Sequence, residues 1–302
     1  MDRASCWLRE IRAPFLSLSV VLIFLGSSVA ISLGSFSFTR ALLALLGLTV
    51  LHIGVNVLNE YSDYHTGIDF QTYPTPFSGG SGMLIAGKVA PTAALAVGIL
   101  SLGVGVGVGL VFLWLTNLKL LPLLIVGGAS VILYTDFLSR NALGELFAGL
   151  GLGFLPVLGA DFIQTGQYSV IGAAAAVPAG ILTFNLLLLN EFPDMSADRT
   201  GGRRNLLLLF GPNTGGRIYT LLMAAMYVWI AAVCAAGIVP AYCIAGLLTL
   251  PLALKPMKWA WNGGTDGDEV VPALGTNVMV NLSTQTILGL ALLASAWMNT
   301  AP

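Results

Sequence analysis

The chain has 302 residues, 56% of them apolar and only 9% charged, with a formal net charge of −1 at pH 7 and a mean hydropathy of +0.87. So little charge excludes a chain solvated mainly by water, and no nucleic-acid partner is expected. Most of its surface must face membrane lipid.

Nine apolar segments of spanning or near-spanning length follow in chain order: 15–33, 42–61, 91–115, 120–138, 143–160, 169–190, 214–238, 240–256 and 275–299. A hydrocarbon core of about 30 Å takes about 20 helical residues to cross, so 120–138, 143–160 and 240–256 sit near the lower limit. Lipid offers open backbone no hydrogen-bond partner, and the alternating pattern of a membrane β-barrel is absent. The expected fold class is therefore all-α, a polytopic membrane protein with nine transmembrane helices. The first segment is expected to be retained, because its apolar run is long and lacks a small-residue cleavage site.

With nine helices, the connections alternate between two sides, and the thirteen basic residues divide very unequally. Only Arg40 and Lys119 fall on one side; Arg3, Arg9, Arg12, Lys88, Arg140, Arg199, Arg203, Arg204, Arg217, Lys255 and Lys258 fall on the other. The positive-inside rule then puts the N-terminus in the cytoplasm and the C-terminus outside, in the cell (inner) membrane. The three cysteines, Cys6, Cys234 and Cys243, lie in or beside apolar segments without paired spacing or histidine companions, which reads as structural burial.

Most connections are short, but 62–90 and 191–213 are long, polar and glycine-rich, as binding loops usually are. Each opens on an acidic cluster, Asn59-Glu60-Tyr-Ser-Asp63 continuing to Asp69, and Asn190-Glu191-Phe-Pro-Asp194-Met-Ser-Ala-Asp198. His52, Asn56, Asn59 or Glu60, and Asp63 recur at helical spacing and form one stripe. Asn190, Asp194 and Asp198 repeat every four residues and share a face wherever the segment stays helical, with Pro193 expected to kink it. Bare carboxylates facing one another would repel. A hard divalent cation with oxygen ligands relieves that, and Mg2+ in particular uses few carboxylates together with substrate phosphates. An acidic residue just past one membrane helix is often only a solvated end; two clusters of matching spacing on the same side point to function.

These motifs resemble the signatures of UbiA-type membrane prenyltransferases, and most closely the MenA branch acting on 1,4-dihydroxy-2-naphthoate. The resemblance rests on Asn59-Glu-Tyr-Ser-Asp63-Tyr-His-Thr-Gly67-Ile-Asp69 and Thr75-Pro-Phe-Ser-Gly-Gly-Ser-Gly82. It extends through Tyr134-Thr-Asp-Phe-Leu-Ser-Arg140-Asn-Ala-Leu-Gly144-Glu145-Leu and Asn190-Glu-Phe-Pro-Asp194-Met-Ser-Ala-Asp198-Arg-Thr-Gly-Gly-Arg203-Arg204-Asn-Leu. It covers nearly the whole chain and implies one transmembrane domain over 1–302, with helices around a central cavity and a lateral opening for a lipid tail. It also implies Mg2+ bridging the two acidic motifs to the diphosphate of a polyprenyl donor. Departure of that diphosphate leaves an allylic cation for attack by an aromatic ring, leading toward demethylmenaquinone.

Within this reading Asp63, Asp194 and Asp198 are the leading catalytic metal ligands, with Asn59, Glu60, Asp69 and Asn190 as direct or water-mediated partners. Glu60 departs from the pattern, since many members carry Asp there. Lys88, Arg203 and Arg204 suit the diphosphate, although each also serves the positive-inside bias. Tyr134, Arg140 and Glu145 occupy the segment that in the family borders the acceptor, and Arg140 could hold a carboxylate. Glu145 could equally be a paired structural charge, and Asp136 stands where relatives tend to be less acidic. His52 fits helix packing or proton transfer.

Other acceptors remain open, among them 4-hydroxybenzoate, 1,4-dihydroxy-6-naphthoate and a lipid alcohol. A cation or lipid transporter would want its acids at mid-helix rather than at helix ends. A CDP-alcohol phosphotransferase would show a single Asp/Gly/Ala-Arg motif that is absent here. Gly103-Val-Gly-Val-Gly-Val-Gly109 and Gly149-Leu-Gly-Leu-Gly153 lie within apolar runs and read as helix packing, not phosphate loops. Asp266-Gly-Asp268-Glu269 reads as a solvated loop, not a calcium site.

Overall fold

Backbone groups that meet no water must pair with one another, and every regular element among the described residues is helical. The computed structural model describes residues 2–72, 74–265 and 267–300, the side chains of Asp136, Asn299 and Thr300 excepted. Asp266 and the side chain of Asp136, both weighed from the sequence, lie outside the described residues. In chain order the α-helices are α1 (Arg3–Glu10), α2 (Ser17–Ser32), α3 (Phe38–Thr66), α4 (Pro91–Leu115), α5 (Leu121–Ile132) and α6 (Gly144–Gly149). There follow α7 (Leu155–Thr165), α8 (Val170–Thr200), α9 (Leu206–Phe210), α10 (Pro212–Ala235), α11 (Leu250–Trp261) and α12 (Val270–Thr300).

Seven helical stretches among the described residues are long and apolar enough to cross a membrane: Ala13–Ser32, α3, α4, Gly144–Thr165, α8, α10 and Val270–Met298. The protein is therefore a multi-pass membrane protein. The fourth and eighth predicted segments are built differently. Leu118–Ile132 is a shorter apolar helix, and the eighth begins as a 3-10 helix over Ala241–Thr249 before turning into α11. Two helices overrun their predicted apolar segments, α3 to Thr66 and α8 to Thr200. In both, the overrun carries the acidic stripe, because its spacing of four suits continued helix. Pro193 does not end α8, which runs unbroken through it.

Close approach of backbones holds the bundle together, as expected where lipid gives helices no hydrophobic drive to associate. A Cβ added at Gly149 would stand 2.8 Å from the Gly180 carbonyl oxygen, and one at Gly153 2.5 Å from that of Ala179. The glycine run at 149–153 thus seats the α6–α7 stretch on α8, and in the run at 103–109 Gly105 receives Leu51 of α3. Hydrogen bonds tie the other half: Tyr219 Oη donates to Asn277 Oδ1 at 2.8 Å, Asn185 Nδ2 to the Tyr219 carbonyl at 3.0 Å, and the hydroxyls of Thr249 and Thr284 meet at 2.7 Å. The largest apolar core lies where α2, α8, α10 and α12 converge. All three cysteines are free thiols, Cys6 and Cys243 buried and Cys234 half-buried, and Glu269 is tied to Lys255 at 2.8 Å.

Overpacking at such a contact costs about 1–3 kcal/mol. Gly153→Val should therefore lower the thermal unfolding temperature of the detergent-solubilised protein, whereas Gly107→Val, with nothing within 4 Å of the added Cβ, should leave it nearly unchanged. Equal melting of the two variants would contradict the packing.

Candidate active site

The helical overruns of α3 and α8 face one another across a cavity of about 280 Å³, which both acidic clusters line. Asn59, Glu60, Asp63, Asp69, Asn190, Glu191, Asp194 and Asp198 all border it, joined by Tyr134, Glu145, Arg203, Arg204 and Arg12. Lys88 and Arg140 do not; both are exposed away from it. The cavity thus gathers every metal candidate read from the sequence, two of three diphosphate candidates and two of three acceptor candidates.

Arg203 stands at its centre. Nη2 donates to both carboxylate oxygens of Asp63, at 2.5 and 2.6 Å, and to Asn59 Oδ1 at 3.1 Å. Nη1 reaches Asp198 Oδ1 at 3.3 Å. Asn59 Nδ2 bonds Asp63 Oδ2 at 2.9 Å, and Asn205 Nδ2 bonds Asp198 Oδ2 at 2.9 Å. Carboxylates from two distant helices therefore share one cation. Among the described residues no three His, Cys, Asp or Glu side chains meet as ready metal ligands; the guanidinium fills the space between them.

Other oxygens are unspent. Asn190 Oδ1, Glu191 Oε2 and Asp194 Oδ1 are buried with no hydrogen-bond partner, although such atoms are rarely left unsatisfied. With Asn59, Asp63 and Asp198 they make an all-oxygen donor set suited to a hard divalent cation.

The loop after α3 is folded onto both clusters. Gly67, at φ 82°, ends α3 in the left-handed conformation that favours glycine. Thr75 Oγ1 accepts from Phe77 N and Ser78 N, at 3.1 and 2.8 Å, closing a tight turn. The turn presents the Gly79 N–H to Asp194 Oδ2 at 3.1 Å. Glu60 accepts from Ser81 N and Ser81 Oγ, the shortest bond being 2.7 Å, so it is engaged in ordering the loop. Asp69 packs over Gly80, where a Cβ would clash with its carboxylate. Burial first, then the charges of Glu60 and Asp63, push Asp69 up to about 7.

On the far side Glu145, buried at the start of α6, accepts from Leu206 N at 2.7 Å. It takes the first N–H of α9, whose N-cap is Asn205, and so anchors the segment that carries Arg203 and Arg204. Tyr134 opens a π-helical turn over Tyr134–Leu138. His52 borders the cavity with Nδ1 bonded to Ser19 Oγ at 3.0 Å, a satisfied packing role.

Two residues outside the sequence-based candidates bear on the site: Arg12, counted only among the basic residues of one side, lines the cavity, and Glu10, not singled out from the sequence, bonds the loop that covers it. Arg12 adopts φ 53°, outside the usual range for a non-glycine residue. Its guanidinium lies 4.5 Å over the Phe15 ring and donates to the Phe77 carbonyl at 3.3 Å. Glu10 is fully buried, with Oε2 accepting from Ser81 Oγ at 3.1 Å. The signal for both is the polar stretch at 9–12 just ahead of an apolar run, which here forms α1 and its turn instead of a free terminus.

Residues 19–271 match the model of the UbiA prenyltransferase family. The chain belongs to that family. It is an enzyme, a membrane-embedded prenyltransferase. A similar relative is the 1,4-dihydroxy-2-naphthoate octaprenyltransferase of Mycobacterium leprae, 28% identical over 276 residues that cover 89% of each chain. Solved structures share the fold: an apo UbiA homolog from Aeropyrum pernix K1 aligns with a TM-score of 0.68 at 19% identity, covering 95% of this chain and 98% of that one. A UbiA homolog from Archaeoglobus fulgidus bound to DMAPP and Mg2+ aligns at 0.62 and 16% identity, covering 95% and 99%.

Burial raises the Glu10 carboxyl to about 7, outweighing its bond from Ser81, with Asp69 adding to the rise. A carboxyl raised on folding binds more protons in the folded enzyme than in the unfolded chain between the ordinary glutamate range and about 7. Its contribution to stability is therefore largest at low pH and is lost as pH rises through that window. Glu10→Gln should flatten the decline in melting temperature from about pH 4.5 to about pH 7; a slope as steep as the wild type's would refute the assignment.

Proposed function

We propose that the enzyme transfers a polyprenyl group from polyprenyl diphosphate to an aromatic acceptor, 1,4-dihydroxy-2-naphthoate, on the route to menaquinone, with Mg2+ at the acidic clusters. The observation that carries this reading is the Arg203 bridge, which brings Asp63 and Asp198 to one cationic point. Relatives named for this acceptor support the acceptor, and the Archaeoglobus fulgidus homolog with bound DMAPP and Mg2+ supports donor and metal.

In this reading Asp63, Asp194 and Asp198, with Asn59 and Asn190, hold the cation. Mg2+ supplies electrophilic pull on the departing diphosphate. Asn205 orients Asp198, and the Gly79 N–H orients Asp194, so both carboxylates are aimed before substrate arrives. Glu60 and Asp69 order the covering loop. Arg12 and Arg204 face the cavity and offer guanidinium donors to the diphosphate oxygens, and Arg203 joins them when the divalent cation takes its place between Asp63 and Asp198. The bond from the prenyl C1 to oxygen breaks, diphosphate leaves with the electron pair, and a ring carbon of the acceptor bonds to C1; the ring regains its aromaticity when the carboxylate departs as CO2 and leaves its bonding pair to the ring. Tyr134 and Glu145 border the acceptor's side of the cavity, and this loss of the carboxylate follows family chemistry. Lys88 and Arg140, exposed away from the cavity, take no part.

The same reading treats residues 1–302 as one domain with nine crossings, Leu118–Ile132 and 241–261 being the fourth and eighth. The uneven distribution of basic residues supports cytoplasmic active-site loops and an outer C-terminus in the inner membrane.

Purified enzyme with Mg2+ and radiolabelled polyprenyl diphosphate should release diphosphate only when an aromatic acceptor is present. Asp63→Asn or Asp194→Asn should lower turnover by roughly 10²–10³-fold while the protein still elutes as a folded species in detergent. Near-normal turnover in both variants would overturn the metal assignment, and no diphosphate release with any aromatic acceptor would overturn the prenyltransfer reading.

A further inference from the structure

Past the acidic clusters the cavity continues into the span of the helices, where its wall is mainly apolar, with Val55, Val131, Leu186 and Val278 among the lining residues. Beyond Asn56, whose Nδ2 donates to the Ile11 carbonyl at 3.0 Å, four polar side chains interrupt that lining, one from each of four helices: His52 of α3, Ser130 of α5, Thr183 of α8 and Asn281 of α12. None of these four is more than 4% exposed.

Helix geometry sets all four farther into the span than the residues at the cavity's mouth. His52 lies seven residues before Asn59, and Thr183 seven before Asn190, a descent of about 10 Å in each helix at 1.5 Å per residue. Ser130 lies four residues before Tyr134, about 6 Å down. On α12, which runs inward from Gly275 packed against Phe77, Asn281 comes six residues later, about 9 Å down. The cavity therefore has a polar floor.

Two members of this floor are already satisfied. His52 Nδ1 meets Ser19 Oγ, and Ser130 Oγ donates to the Val126 carbonyl at 2.7 Å. The other two are not: Thr183 Oγ1 and Asn281 Nδ2 have no hydrogen-bond partner. Gln285 Nε2 donates to Asn281 Oδ1 at 2.6 Å, which commits the oxygen edge of the amide and leaves its donor edge free. Within lipid depth such unpaired groups are costly and mark function by default.

We propose that Thr183 and Asn281 form a neutral hydrogen-bonding subsite that receives the 4-hydroxyl of the naphthoate acceptor, the ring hydroxyl remote from its carboxylate. A phenolic hydroxyl carries one donor and acceptor lone pairs, matching the free Thr183 oxygen and the free Asn281 N–H. A prenyl chain has no hydrogen-bonding group to offer, and a diphosphate or carboxylate is better held by the arginines near the mouth. The subsite rests on the acceptor reading given above and adds to it the residues that recognise the ring.

The test is steady-state kinetics of the full-length enzyme, together with equilibrium binding of 1,4-dihydroxy-2-naphthoate and of 1-hydroxy-2-naphthoate. Thr183→Val and Asn281→Leu should each weaken acceptor binding and raise its KM by about three- to tenfold, with the donor KM unchanged. Thr183→Ser, which keeps the hydroxyl, should behave as wild type. The variants should also lose discrimination between the two naphthoates. Unchanged acceptor affinity in both variants would overturn the proposal. So would an equal loss for both naphthoates, the pattern of a structural water or a packing defect. If the wild type releases no diphosphate with any aromatic acceptor, the acceptor reading itself fails and the subsite with it.

Discussion

The arrangement depends on one cation held between carboxylates in a poorly solvated cavity. Asp63 and Asp198 belong to helices far apart in the chain, and each charge alone at that depth would favour keeping the helices apart. Arg203 reverses the sign of that interaction by bonding both. Removing one partner of a buried pair typically costs about 3–5 kcal/mol, because the other charge is left uncompensated. The surrounding backbone is shaped to deliver the guanidinium: Arg203 N bonds the Asp198 carbonyl at 2.9 Å, and Arg204 N bonds the Ser139 carbonyl at 2.9 Å. The turn after α8 is thereby pinned both to its own helix and to the segment between α5 and α6.

Around that cation the acids are divided by what already bonds them. Glu60 is committed to Ser81, Glu145 to Leu206 N, and Asp198 to Asn205 as well as Arg203. Asn190 and Asp194 each keep a buried oxygen unspent. In the proposed reaction a hard cation must be held against the departing diphosphate, and oxygens of this second kind, polar and in place before substrate binds, are suited to hold it. The stability given up by burying it is recovered elsewhere, in the apolar core shared by α2, α8, α10 and α12 and in the glycine contacts of the α6–α7 stretch with α8. The same logic extends deeper, where Thr183 and Asn281 leave one acceptor and one donor free in an otherwise apolar wall.

Much of this was legible in the residues themselves. Hydrophobic runs bounded by charge describe helices in lipid because a membrane permits no other open backbone. A spacing of four places Asn190, Asp194 and Asp198 on one face of α8 whatever surrounds it, and the basic residues report a common side for both clusters. The π-helical turns at Tyr134–Leu138 and Leu150–Phe154, and the 3-10 start of the eighth segment, had no such signal. Each departs from the regular α-helical ladder by a shift in hydrogen-bond partner that apolar periodicity does not register.

Periodicity is a property of one helix, so the sequence alone determined which residues share a face, which class of solvent they meet and which family the motifs resemble. Placement of a loop or terminal side chain is decided by contacts between segments distant in the chain. Only the tertiary structure could therefore set Arg203 between the clusters, bring Glu10 and Arg12 in from the N-terminal turn, and leave Lys88 and Arg140 outside. A positive-inside count treats these basic residues alike; the left-handed turn at Arg12 and the fold-back of residues 201–205 do not.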